Sequence, residues 1–222
     1  MNNLKNTSRI GISFGVFLII LYASYLLILL SLPYIHFKPG VEFLETKQLI
    51  YHIKIWRASF YIHVFSSPFI ILSGLFQFNK WLLRKKKGLH RKLGYIYIIG
   101  VLMITGPAAF VMSLYANGGR ITQTSFVILS ILWILTTYLA YRSIKKGKSE
   151  QHIKWMIRSY ALTLSAVTLR FYSYLMGVFK INLGPEESYI VLAYISWIPN
   201  LIVAEALIYW KYPKYLLKQK NA

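Results

Sequence analysis

Two histidines stand in matching surroundings. His90 in "GLHRKLGYIYIIG" (Gly88 to Gly100) and His152 in "SEQHIKWMIRSYALTLSAVTLR" (Ser149 to Arg170) each lie beside cations at the start of a long apolar run. Neutral imidazole is a good ligand for haem iron, and two histidines at one depth on neighbouring helices could sandwich a b-type haem. Protonated, the same rings with Arg91, Lys92, Lys154 and Arg158 would instead attract an anionic headgroup. What the chain lacks narrows the other chemistry. It has no cysteine, which removes disulfides, thiolate metal sites and thiol catalysis, so the only metal in view is haem iron. It has no aspartate, so no Ser–His–Asp set can be assembled. GxxxxGK[ST] and HExxH are absent too, and a hydrolase is the least favoured class.

A second group of candidates is defined by cost. A charge at the centre of a bilayer costs at least roughly 2.5–3.5 kcal/mol on insertion scales, so ionisable residues inside apolar runs call for a reason. His63, Arg158, Arg170 and Glu205 are such residues. Their expected depths form two layers. His63, a possible outer site, and Arg170 lie toward one face; Glu205, Arg158, His90 and His152 lie toward the other. Residues about 4, 7, 11 or 18 apart share a helix face. By that spacing His152, Ser159, Thr163, Ala166, Arg170, Ser173 and Gly177 form one small or polar stripe, and His63, Ser67, Gly74 and Gln77 another. Such stripes are either packing seams whose polar groups satisfy one another or the walls of a cavity.

The elements that must position these residues are membrane helices. A chain of 222 residues that is 56% hydrophobic cannot hide its apolar side chains in one water-soluble core. A hydrocarbon core of about 30 Å takes about 20 helical residues. Six runs reach that length: 10–34, 58–78, 93–115, 121–141, 155–179 and 188–210. The expected fold is all-α, a polytopic membrane helix bundle of about six spans forming one transmembrane domain over residues 1–222. The first run is too long for a signal h-region and lacks a small-x-small cleavage site, so it reads as a helix.

The formal charge of +20 has an explanation without nucleic acid. Of 26 Lys and Arg, 19 fall in the N-terminal stretch, the Lys80 to Lys92 loop, the Arg142 to Arg158 loop and the C-terminal tail, against six on the other side. This is the positive-inside pattern, which places both termini and both basic loops in the cytoplasm. "RKKK" (Arg84 to Lys87) serves topogenesis or binds anionic headgroups of the bilayer. On the opposite side, "VEFLETKQLIYHIKIW" suggests a surface-lying amphipathic helix, with His36 and His52 in water.

"FYIHVFSSPFIILSGLFQF", "LHRKLGYIYIIGVLMITGPAAFVMS" and "QHIKWMIRSYALTLSAVTLR", with their H-R-x-x-G-Y and H-x-x-W-M-x-R-S-Y motifs, resemble the bacterial predicted membrane proteins of domain of unknown function 2306. The resemblance covers about Arg57 to Arg170 and somewhat beyond. It implies a multi-pass protein of the bacterial inner membrane and carries no activity. More distantly, "LHRKLG" resembles the L-H-x-x-x-G of ascorbate-reducing di-haem b-type cytochromes. That likeness implies His90 and His152 as an inner ligand pair and His63 as an outer ligand, but the fourth run offers no histidine to partner His63. Three functional classes stand side by side: transmembrane electron transfer through haem b, handling of a lipid or small molecule, and a scaffold without catalysis. A carrier would break its helices near Gly106-Pro107 or Pro199.

Overall fold

The computed structural model describes residues 2–217, and among them every regular element is helical. The long helices are α1 (Asn2–Ser31), α2 (Lys54–Gln77) and α6 (Gly119–Lys145). A third span runs through α4 (Lys87–Ile99), a π-helical turn (Gly100–Thr105) and α5 (Gly106–Ser113). A short α3 (Lys80–Lys85) precedes it. Then follow α7 (Ser149–Thr163), α8 (Ser165–Val178), α9 (Pro185–Ile195), α10 (Ile198–Tyr209) and α11 (Tyr212–Leu217).

Five segments are long and apolar enough to cross a membrane: Gly15–His36, Lys54–Gln77, Lys87–Ser113, Gly119–Lys145 and Pro185–Tyr209. The remaining expected span, 155–179, is divided between α7 and α8. Its hydroxyls explain the division. Thr163 Oγ1 donates to Ser159 O and Thr168 Oγ1 to Leu164 O, and such back-bonding competes with the helix ladder and bends it. The third span carries a π turn instead. Pro107 has no N–H to give, and Gly106 N reaches back five residues to Val101 O. In the last span the chain is irregular at Ser196 and Trp197, just before Pro199. Asn200 Nδ2 donates to Ser196 O and to Ala161 O, at 3.1 and 3.2 Å, which ties α10 to α7 across that break.

Helices α2, α4–α5, α6 and α7 form the centre, with Ile70, Tyr97, Val101, Trp133, Tyr160 and Leu162 in one buried cluster. Helix α1 leans on α2, and α10 on α7. The two ends of the bundle differ. Phe78, Leu83, His90, His152 and Leu216 meet at one, so the basic loops and α11 gather there. At the other, Asn117 Nδ2 donates to Thr46 Oγ1 and to Tyr189 Oη.

The segment expected to lie on the surface as a helix is packed down as a cap. Two 3-10 stretches, Leu32–His36 and Glu42–Ile50, cover the end of α2, with Leu44 fully buried in a cluster with Tyr34, Trp56 and Phe60. His36 and His52 are exposed. Lys47 is buried with the segment: only 3% exposed, its ammonium donates to Tyr115 O and Asn117 Oδ1. Burial pushes its pKa down to about 8. A base with a lowered folded pKa binds fewer protons than the unfolded chain, so the stability of the cap should rise between about pH 8 and its ordinary value of 10.5 and be lost as pH falls through 8. Amide exchange of residues 42–50 across that range checks this, and Lys47→Met should flatten the dependence.

Candidate functional site

The two matching histidines occupy the same local position. Each sits in the first turn of its helix, where its N–H reaches the carbonyl of the capping lysine: His90 to Lys86 O at 3.0 Å in α4, His152 to Lys148 O at 2.9 Å in α7. Both line one cleft, with Gln77, Phe78, Leu83, Ile153, Met156 and Leu216. Gln77 Nε2 donates to His90 O at 3.3 Å, fixing the start of α4 to the end of α2.

Their ring nitrogens are set differently. His152 Nδ1 lies 2.9 Å from Ala140 O, and since a carbonyl only accepts, Nδ1 carries the proton and Nε2 keeps a bare lone pair. This is the usual orientation of a metal-ligating histidine, whose other nitrogen is held by a backbone carbonyl. His90 Nδ1 is buried without a hydrogen-bond partner, the one such side-chain nitrogen or oxygen among the described residues. A buried polar atom left alone in this way points to a missing water, ion or ligand.

The cleft encloses about 30 Å³ and, with its open mouth, spans about 320 Å³. The enclosed space is room for a water or two and at most about a tenth of the roughly 300–1,000 Å³ of cofactor and ligand pockets, so the cleft as it stands is closed to a porphyrin. The donor set, two imidazoles lining one mostly apolar slot, matches the ligand type of a b-type haem, but the slot's volume does not admit one unless its walls part. Of the four cations expected to help the histidines hold an anionic headgroup instead, two are otherwise engaged. Lys154 Nζ pairs with Glu150 at 2.8 Å, and Arg158 makes a two-pronged pair with Glu205, Nε at 2.5 Å and Nη2 at 2.8 Å, while its guanidinium lies over the Trp155 ring. Glu205→Gln should therefore destabilise the protein, because it strands the Arg158 charge, and adding Arg158→Gln should recover most of the loss. Thermal unfolding of both single variants and the double variant in detergent measures the coupling.

Deeper in the bundle, the Ser159–Thr163 part of the stripe is a packing seam. Tyr97 Oη lies 2.7 Å from both Ser159 Oγ and Thr163 Oγ1; Trp133 Nε1 donates to Thr163 Oγ1 at 2.8 Å, and Thr137 Oγ1 is 2.6 Å from Ser159 Oγ. All five side chains are buried and satisfy one another. Tyr97, Trp133 and Thr137 escaped the sequence reading; the available signal was polar residues one helical turn apart on the fourth run. A second polar knot joins Ser125, which donates to Ala193 O and accepts from Trp197 Nε1.

Toward the other end, His63 Nδ1 donates to Thr105 O at 3.4 Å, a carbonyl of the π turn. Arg170 makes no hydrogen bond to His63 among the described residues; its Nη1 donates to Ala166 O of its own helix at 2.9 Å. No three His, Asp or Glu among the described residues gather as a metal site.

The fold and these buried groups define a polytopic helical membrane protein. The family described as predicted membrane protein, DUF2306, matches residues 60–208, and the chain belongs to that family. No curated protein and no solved structure matches it. The distant likeness to di-haem cytochromes thus gains no support from these comparisons, and the haem reading rests on the histidine pair.

Proposed function

We propose that His90 and His152 together hold one b-type haem at the basic end of the bundle, in a cleft that must open well beyond its present 30 Å³ to admit it, and that the protein carries electrons to or from it. The observation that carries this reading is the pair's state: His152 with Nδ1 tied to Ala140 O and Nε2 bare, facing the same slot as a His90 that has a buried nitrogen without a partner. Such a group supplies one-electron chemistry when bound. The chain's part is to orient and exclude. Ala140 O sets the His152 ring, Gln77 holds the start of α4, and Phe78, Leu83, Ile153, Met156 and Leu216 keep water from the slot. Arg91 and Lys92, exposed beside His90, are placed to meet acidic substituents at the slot's mouth. By the positive-inside bias this end faces the cytoplasm, in a bacterial inner membrane. A dithionite-reduced spectrum of the full chain, expressed with ample haem, should show a b-type α band; a colourless protein overturns the proposal.

Lipid or small-molecule handling is favoured by a separate observation, the uncompensated Arg170, which carries the inference below.

A further inference from the structure

We infer that Arg170 forms a binding site for a carboxylate or phosphate group in the half of the membrane away from the histidine pair. The direction of its side chain is the first ground. A cation near the end of a span normally extends to the interface. The outer end of α8 near Phe179 is nine residues on, roughly 13 Å at about 1.5 Å per residue. The Arg170 guanidinium turns the other way, donating from Nη1 to Ala166 O one turn nearer the middle. It is drawn into the membrane rather than out of it.

The second ground is the absence of compensation. A guanidinium has five N–H donors. Among the described residues this one uses a single donor, on its own helix, and forms no ion pair. The membrane-embedded glutamate, Glu205, is committed to Arg158. A charge in hydrocarbon without a counter-ion is too costly to keep for packing alone. An anion bound to the fork would offset that cost, and carboxylate and phosphate match its two-pronged geometry.

The surroundings supply further groups. Arg170 lies within electrostatic reach of His63 and Tyr34. Tyr34 Oη accepts from Phe43 N at 3.3 Å, which leaves its hydroxyl proton to donate. His63 donates from Nδ1 to Thr105 O, so its Nε2 is an acceptor and would meet a protonated oxygen of the ligand, not its charged one. A phenol and an imidazole from two other elements thus lie within electrostatic reach of the guanidinium on α8, none of whose residues is buried. The flank is apolar: Phe171, Tyr174 and Val178 are all exposed along it. An anion can come to this site as a lipid or amphiphile from the side, or from the water above.

The full chain in phosphatidylcholine nanodiscs decides this, titrated by calorimetry with decanoate and, separately, with inorganic phosphate. Thermal unfolding is followed in parallel in phosphatidylcholine and in phosphatidylglycerol discs. Saturable binding of decanoate, or a higher midpoint in phosphatidylglycerol, identifies a membrane-borne ligand; binding of phosphate identifies one from water. Arg170→Gln should weaken the response at least tenfold, Arg170→Lys should fall between, and Lys180→Gln, an exposed cation at the outer end, should leave it unchanged. If no probe acts on the wild type, or if Arg170→Lys and Arg170→Gln respond as the wild type does, the site does not exist. Should Arg170→Gln fail to fold, the wild-type titrations and Arg170→Lys still decide the matter.

Discussion

Gly74→Ala should lower the thermal midpoint clearly, and Gly74→Val should prevent recovery of folded protein. Gly74 lies on α2 where the bundle's centre is tightest: a Cβ there would overlap the Tyr160 ring and stand 2.9 Å from Tyr97 Cε2. Neither ring can yield cheaply. Tyr97 Oη is held by Ser159 and Thr163, and Tyr160 Oη donates to Ile71 O at 3.1 Å. Overpacking of this kind costs about 1–3 kcal/mol for a small group, and valine brings two methyls more. Gly177→Ala, where nothing stands within 4 Å of the added carbon, is the matched control and should be nearly neutral. Size-exclusion profiles and thermal scans in detergent measure both. A Gly74→Ala protein as stable as its parent would mean that α2, α4 and α7 do not meet as described.

His152→Ala and His90→Ala should each abolish the reduced α band while leaving a monodisperse, helical protein. A bis-imidazole site fails with either ligand, and neither histidine is a packing anchor: both keep some exposure at the mouth of the cleft. Imidazole added to the growth medium or buffer should restore part of the band in His152→Ala, because the truncated side chain leaves room for it beside the Ala140 carbonyl. Wild-type pigment in either variant would show that the histidines do not ligate.

The residues differ in how far sequence could place them. Spans and basic loops were legible because a bilayer demands long apolar runs and because Lys and Arg mark their ends. The common register of His90 and His152 was visible for a related reason: each follows a basic loop by a fixed few residues, and the helix start converts that into equal depth. Likewise Arg158 and Glu205 could be set at one level by counting. What stayed hidden depends on packing between elements. Thr137 and Trp133 lie on a run without histidine, and hydroxyls there say nothing of their partner until α4 and α7 are brought alongside. The break after Thr163 carries no proline or glycine; it arises from hydroxyl competition that local composition does not reveal. The outer segment looked amphipathic at helical period, yet it folds as a 3-10 cap that buries Leu44 among Tyr34, Trp56 and Phe60 and carries Lys47 to the Tyr115 carbonyl and Asn117, contacts that spacing does not reveal. The direction taken by the Arg170 side chain, on which the anion site rests, is likewise a matter of coordinates rather than spacing.

The central claim is one haem on one histidine pair, and the most direct measurement is the number of haems per chain. Full-length protein, produced with ample haem and purified without chelation, is assayed by pyridine haemochrome against quantitative amino-acid analysis. One histidine pair, with His63 lacking a second imidazole, predicts a ratio approaching one b-type haem per chain, with none beyond it. A ratio near zero would contradict the account outright, and a ratio near two would show that the ligand assignment is wrong.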